Sequence, residues 1–591
     1  MTIQSRVLVA VAAAVLLLGG PAAAQEVKVE EQILPNGMKL LLVHRPDEPS
    51  VSAGWVAKVG SVNERVGITG ISHLFEHMMF KGTTTIGSKD PKRDLEIIAE
   101  QERLRDEMRA EESKMRAAWR RGEVDDITRP ESRTARYKEL DARFDLLVKE
   151  QRDLLVKSEF DRIYTKNGAS GMNAGTTNDF TVYFITVPKN KLELWFWMES
   201  DRLRDPVFRE FYAERDVVYE ERRLSVESTP TGKLDEAFDS IFWHSTPYTW
   251  PVIGYASDVA NITKAQADDY FATYYAPNNL TAVLVGDFDR AEALKLASEY
   301  FGRIPRGKVA PPEVTTLPTK WEYDLLLEGE ADTNPTAGLR WHTVPFQHRD
   351  SYALEVLAEL LNGRTGRLYK SMVLPADAVA TQASASHNEL FAPAKYAGAF
   401  AIDAEAKEGK TPAEVAAKAL AEIERLKTEP VPADELQKVK NNLAAFSFRR
   451  LSSNFFILLQ LMVNEAYGDW REMNAGPRKL DAVTAADVQR VAQTYLVKQN
   501  QAAALVSRRA GSAPSAEEAS LADVPEQIRP MIEQSLERIG AETDAAKLKA
   551  NLEKMDAQSA QVPPEMKKGF DLLVAKAKER LAELETTGEK K

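Results

Sequence analysis

The sequence predicts a mixed helix-and-strand fold built twice in one chain, and three observations carry that prediction. A segment recurs at fixed spacing in both halves, strand-like apolar runs open each half, and a proline-rich stretch separates them. At 591 residues, 44% of them hydrophobic, the chain has ample length for several packed domains. The net charge is −12 and no long basic run appears, which argues against nucleic acid as a partner. The absence of cysteine excludes disulfides, thiolate metal sites and cysteine catalysis.

The recurring segment runs from Thr263 through Tyr274 and Asn279 to Leu284 and Val285. Its second copy runs from Thr484 through Tyr495 and Asn500 to Leu505 and Val506, with the same spacing and no gap. Each copy reads as a helix capped by its threonine, a short turn and an apolar strand. Two homologous domains in one chain are the expectation.

The elements follow in order. Arg6 precedes an unbroken apolar run from Val7 to Leu18, which ends at Gly19-Gly20-Pro21 and is followed by Ala22-Ala23-Ala24. This pattern predicts a secretory signal peptide over 1–24, cleaved near Ala24, and hence an exported protein, periplasmic if the source is Gram-negative. The run is too short to span a bilayer comfortably and no other segment is apolar enough, so no stable membrane insertion is expected. The first domain, 25–305, opens with strand-like Met38–Val43 and Ser52–Val59. Asp90 to Arg162 is dense in charge with Leu and Met at helical spacing, broken at Arg120–Glu123 and Thr128–Pro130. It predicts an inserted hairpin of two long helices, about 92–160, either a solvated arm or a docking element. A linker at 306–320 holds Pro311, Pro312 and Pro318. The second domain, 321–508, opens with Asp324–Leu327 and Gly338–Trp341, and its next helix, near Ser351–Leu361, carries no histidine. The tail, 509–591, reads as a small helical appendage.

The chemistry concentrates in His73-Leu-Phe-Glu76-His77, between Gly70 and Gly82. On a helix, positions i, i+3 and i+4 share a face, so His73 and His77 can hold one metal from successive turns with Glu76 beside it. Two imidazoles and a carboxylate give Zn²⁺ three ligands and leave a fourth position for water. Glu76 is the candidate base. A third ligand must come from elsewhere, and Phe211–Leu224 reads as a helix with Glu214 and Glu221 two turns apart on one face. One can ligate the metal while the other bonds a ligating histidine. Spacing alone does not choose between Glu220 and Glu221.

With these residues in place, the chain resembles the pitrilysin-type inverzincin zinc metallopeptidases, the family of insulin-degrading enzymes and the mitochondrial processing peptidase β subunit. The resemblance covers roughly residues 27–91 and 161–508. It rests on Gly67 to Thr83, Asn173-Ala174 ahead of Thr181-Val-Tyr183, Glu214 to Glu221, Pro251-Val-Ile-Gly254 and Tyr275-Ala-Pro-Asn-Asn279. It implies an α+β fold, with a mainly antiparallel sheet packed on helices in each half. It places the third zinc ligand on Glu221 and the supporting acid on Glu214, with one Zn²⁺ per chain. It implies an endopeptidase whose peptide substrates add as a strand to a sheet edge near the zinc, with Asn173 and Ala174 at that edge. The run from Asn167 to Gly175 is glycine-rich, a composition that also suits a turn.

Two features depart from the family pattern. The charged hairpin separates His77 from Glu221 by more sequence than is usual. The family's arginine and tyrosine, seven residues apart in a non-zinc domain, correspond here to Val373 and Ala380, neither of which has a side-chain donor. Arg367 and Tyr369 lie nearby at the wrong spacing. The family's chambers are closed by four such domains, so the expected assembly has two chains. The first expectation is a heterodimer with a zinc-less homologue supplying the pair; a homodimer is the second. The competing reading is a non-catalytic peptide-binding or assembly subunit that keeps its zinc site.

Overall fold

The computed structural model describes residues 26–509, apart from 128, 320, 322 and 389–391, together with 529–542, 544–558, 562 and 564–588. The expected signal peptide lies outside the described residues. The chain divides into a large unit, comprising residues up to Gly329 and Thr336–Val506, and a small one, comprising Glu330–Pro335 and the residues from Ser507 onward.

Two sheets organise the fold. The first contains β1 (Glu30–Ile33), β2 (Lys39–His44), β3 (Ser50–Ala57), β4 (Ser170–Thr176), β5 (Thr181–Pro188) and β6 (Leu280–Gly286), in the spatial order β1-β2-β6-β3-β5-β4. The second contains β7 (Leu325–Ala331), β8 (Thr336–Thr343), β9 (Ala380–His387), β10 (Gly398–Ala406) and β11 (Gln501–Arg508), in the order β7-β11-β8-β10-β9. Pairing is antiparallel through most of both sheets, with β2 and β6 parallel. With β1 set aside, each sheet has the same plan. Numbered by chain position, its strands lie first, fifth, second, fourth, third. This is the expected α+β fold.

The recurring segment does the same work in both sheets. Thr263 and Thr484 each cap a helix, Lys264–Tyr274 and Ala485–Tyr495, through a reciprocal capping box. Asn279 Nδ2 donates to Tyr274 O at 2.9 Å, and Asn500 Nδ2 to Tyr495 O at 3.1 Å. Both bonds tie the helix end to the turn that launches the sheet's second strand, β6 or β11. The stretch 305–319 has no regular structure, as the prolines predict.

Each half also lends a helix to the other. Every residue of β6 is buried, so both faces of the first sheet need a cover. One face packs on helices of its own half, around Trp55, Phe75, Trp195 and Phe196. The other face packs on Asn454–Tyr467, whose Ile457, Leu458, Leu461 and Met462 meet Leu41, Val43, Val56 and Val283. In return Gly232–Phe242 sets Phe238 and Phe242 beside Ala502, Ala399 and Ala504 of the second sheet. Each fully buried large apolar side chain stabilises by roughly 1.5–3 kcal/mol, so the two halves hold together through a substantial shared core.

The inserted hairpin forms as predicted, from Pro91–Arg120 and Ala135–Leu154. It is not merely a solvated arm. Leu104, Met108, Met115, Tyr137 and Leu140 make a small core between its helices. Its base is fixed by a buried pair, Asp94 with Arg209 at 2.6 Å, and Phe144 meets Tyr212 edge-on at 5.6 Å. In the small unit, Arg529–Ala541, Ala545–Gln558 and Pro564–Gly588 are helical, and Ile532 and Leu536 pack with Leu572 and Leu573. Among the described residues no helix is long and apolar enough to cross a membrane.

Candidate metal centre

The histidines sit on a short helix, Ile71–Met78, held hard at its start. Gly70 has φ +90°, and a Cβ there would stand 2.6 Å from Ile253 O. The Glu64 carboxylate accepts from Gly70 N and Ser72 N, both at 2.8 Å, satisfying amides that the first turn leaves open. Burial pushes Glu64 up to about 8, against the pull of its bonds from Ser72 and Gly70. Ile71, Leu74, Phe75 and Met78 are buried in the first core, which turns His73, Glu76 and His77 to the opposite side.

Glu214 and Glu221 come from the predicted helix, Phe211–Arg222, anchored by buried Phe211, Tyr212 and Val218. Arg222 at its end donates to Gly254 O at 2.6 Å. Gly254 thus links the two helices that carry the site, which accounts for the Pro251-Val-Ile-Gly254 motif.

Glu221 Oε1 lies 3.7 Å from His73 Nε2, and Glu221 Oε2 lies 3.6 Å from His77 Nε2. One donor atom from each of the three falls within 4.8 Å of the others. Ligands about 2.0–2.2 Å from a tetrahedral zinc stand roughly 3.3–3.5 Å apart, so the two Glu221 distances are close to what Zn²⁺ requires. Of the two residues that spacing left open, Glu221 faces the histidines, whereas Glu220 turns away to pair with Arg223 at 2.8 Å.

The surrounding groups are arranged for ligation. His77 Nδ1 faces Glu214 Oε2 at 3.4 Å, and Lys81 pairs with the other oxygen of Glu214. A carboxylate there draws the proton to Nδ1 and leaves the Nε2 lone pair toward Glu221. Burial disfavours the His77 cation, but Glu214, Glu221 and Glu76 together raise its pKa above the ordinary value. Burial also works against the Glu214 carboxylate, yet His77 and Lys81 prevail and lower its pKa. His73 is pushed down to about 4, first by burial and then by His77, so it is neutral at pH 7. Burial lifts Glu221, with His77 opposing.

Glu76 accepts from Thr176 Oγ1 at 2.7 Å. Thr176 ends β4, which pairs only with β5 and forms the sheet edge beside the histidine helix. Asn173 and Ala174 lie on this edge strand rather than in a turn, and Asn173 Oδ1 accepts from Ala174 N at 2.9 Å. The glycine-rich run also suited a turn, but pairing with Phe184 and Tyr183 sets Asn173 and Ala174 in the sheet. Glu64, Lys81 and Thr176 escaped the sequence reading. Only Thr176 carried a signal there, since it shares a strand face with Ala174.

Comparison with known proteins now bears on this site. Residues 39–102 match the family described as insulinase (peptidase family M16), and residues 261–443 match the peptidase M16 inactive domain. The chain thus carries peptidase M16 domains, of the insulinase and pitrilysin group. It is 24% identical over 479 residues to the zinc protease PqqE of Helicobacter pylori, covering 79% of this chain and 90% of that one. It is 24% identical over 521 residues to an uncharacterized zinc protease of Mycobacterium tuberculosis, 84% of this chain and 95% of that one. Among solved structures, a protease from Helicobacter pylori has TM-score 0.65 at 21% identity, covering 82% of this chain and all of that one. Pitrilysin has TM-score 0.59 at 16% identity, covering 84% of this chain and 46% of its own. The M16 relatives are thus named zinc proteases, and the M16 fold extends over most of this chain.

Among the described residues the second sheet presents no equivalent site. Its helix Ser351–Leu361 is buried along most of its length. Val373 packs against the second core and Ala380 is 2% exposed. Arg367 is held by Glu435 at 3.0 and 2.7 Å.

Proposed function

We propose that this M16 chain is an exported zinc-dependent endopeptidase that hydrolyses peptides or unfolded segments. The observation that carries the reading is the convergence of His73, His77 and Glu221, with Glu76 between them and the free edge of β4. In this reading His73, His77 and Glu221 hold one Zn²⁺. Zinc, when bound, activates water and polarises the scissile carbonyl. Glu76 accepts the proton from the attacking water and delivers it to the leaving amine. The bond from Thr176 keeps the Glu76 carboxylate turned toward that task. Glu214 fixes the His77 tautomer, and Lys81 holds Glu214. The substrate lies along β4 by main-chain hydrogen bonds, with Asn173 and Ala174 at the contact.

The division into homologous domains, 25–305 and 321–508, is read as a duplication, supported by the shared strand order and the paired asparagine bonds. Only the first copy kept the metal-binding residues. Export rests on the N-terminal 1–24 pattern, and a related M16 protein, PqqL of Escherichia coli, is described as a periplasmic protease. The proposed assembly is a heterodimer with a zinc-less homologue that supplies an arginine and a tyrosine; a homodimer is the alternative. Val373 and Ala380 support the need for that second chain, and this chain matches 46% of pitrilysin's length.

Those same two positions favour a second reading, a non-catalytic peptide-binding subunit that retains zinc. Glu76→Gln decides between them. The endopeptidase reading expects stoichiometric zinc in both proteins and peptide hydrolysis only in the parent chain, alone or with its partner. Equal hydrolysis by the variant overturns the role of Glu76. Zinc without hydrolysis in either protein, with and without the partner, establishes the second reading.

A further inference from the structure

An arginine-lined cavity of about 580 Å³ opens between the glutamate helix, the inserted hairpin and the loop 257–263. Arg105, Arg109, Arg116 and Arg120 project into it from the hairpin helix Pro91–Arg120, and Arg215 from the glutamate helix. Against these five guanidiniums stand two lining carboxylates, Glu112 and Asp258. Asp258 is already committed, accepting from Gly67 N, Thr69 N and Thr69 Oγ1. Glu112 reaches Arg105 only at 3.6 Å.

The two deepest arginines are poorly satisfied. The side chains of Arg105 and Arg215 are each 11% exposed, and both Nε atoms are buried without a hydrogen-bond partner among the described residues. Arg215 meets Ile262 O at 3.4 Å and Asp216 at 3.9 Å, both long contacts. The two guanidiniums stand 4.9 and 5.1 Å from the ring centre of Tyr212, which holds them in place by stacking. Burial and the nearby Arg105 charge lower the Arg215 pKa from its ordinary value. Arg116 and Arg120 make no ion pair among the described residues. Guanidiniums held this way, with donors open, suit bidentate binding of oxyanions.

We propose that this arginine cavity is a binding site for a compact oxyanion bearing two or more phosphate groups. Arg109 is already paired with Asp106, so the four remaining cations against two lining carboxylates leave a charge of +2, because 4 − 2 = 2, which a single carboxylate does not neutralise. The cavity also has room for more than one phosphate. Arg215 adjoins Glu214, and Asp258 holds the loop leading to Gly70, so a bound anion would brace both helices of the metal centre.

Titration calorimetry of the full chain with inorganic tripolyphosphate tests the proposal without any activity measurement. One saturable site is expected. In the double variant Arg116→Gln/Arg120→Gln, whose side chains lie toward the surface, affinity falls by at least about tenfold. Arg215→Gln gives a second readout, with circular dichroism confirming its fold. No binding up to about 1 mM, or unchanged affinity in the double variant, overturns the proposal. Sedimentation with cardiolipin vesicles, whose headgroup carries two phosphates, distinguishes the sources. Arginine-dependent co-sedimentation points to a lipid headgroup, and tripolyphosphate binding without it points to a soluble phosphate.

Discussion

Replacing Gly254 by alanine tests whether the metal centre depends on the junction that starts the histidine helix. Gly254 has φ +78°, where an L-residue costs about 1–2 kcal/mol. Its Cβ would stand 2.3 Å from Thr69 O and 2.5 Å from Gly70 N. Both are backbone atoms, fixed in turn by Asp258 at Thr69 and Glu64 at Gly70, so neither yields like a side-chain tip. Crowding of this kind adds about 1–3 kcal/mol, giving roughly 2–5 kcal/mol in total. The displacement falls on Gly70, three residues before His73, and on the carbonyl of residue 254 that Arg222 uses to place the glutamate helix. Zinc affinity should fall about 10–100-fold, the usual result of disturbing the support of a ligand. Gly122→Ala is the control, because Gly122 has φ +72° with nothing within 4 Å of its Cβ position. It carries the conformational strain without the clash. The assay is zinc competition against a chromogenic chelator, with thermal unfolding of both variants. Wild-type zinc affinity in Gly254→Ala, or equal losses in the two variants, would refute the reasoning.

Three further outcomes are expected. Glu221→Gln should lose most zinc affinity while Glu220→Gln keeps it, measured by equilibrium dialysis, since only Glu221 faces both histidines. Thr176→Val removes the 2.7 Å bond to Glu76 and should lower kcat about tenfold or more at unchanged zinc content. Burial depresses His387 to about 3 and His342 to about 4. The unfolded chain binds these protons near pH 6.5 and the native chain does not, so their contribution is intact above that pH and is lost as pH falls toward 4. Each should cost about 2 kcal/mol at pH 5, seen as a falling urea midpoint that His387→Asn makes shallower.

The parts of this protein legible in sequence are those set by local rules. Thr263 and Thr484 announced their helices because a capping box is a four-residue affair. The histidine helix and the two hairpin helices followed from 3.6-residue periodicity. Glu221 and Glu220 were inseparable by spacing, because the choice depends on how one helix is rotated against another. β4 also suited a turn because glycines punctuate the run that contains it, while its pairing with β5 is non-local. The exchanged helices were also hidden. Asn454–Tyr467 signals burial by its apolar content, but nothing local says which sheet it covers. The arginines of the hairpin read as a solvated face, and only packing against Arg215 makes them a cavity.

The central claim is that His73, His77 and Glu221 form one zinc centre. Anomalous diffraction at the zinc edge from crystals of the zinc-loaded chain tests it most directly. The account predicts a single strong peak about 2.0–2.2 Å from His73 Nε2, His77 Nε2 and a Glu221 oxygen. A peak ligated by other residues, or none at these three, would contradict it.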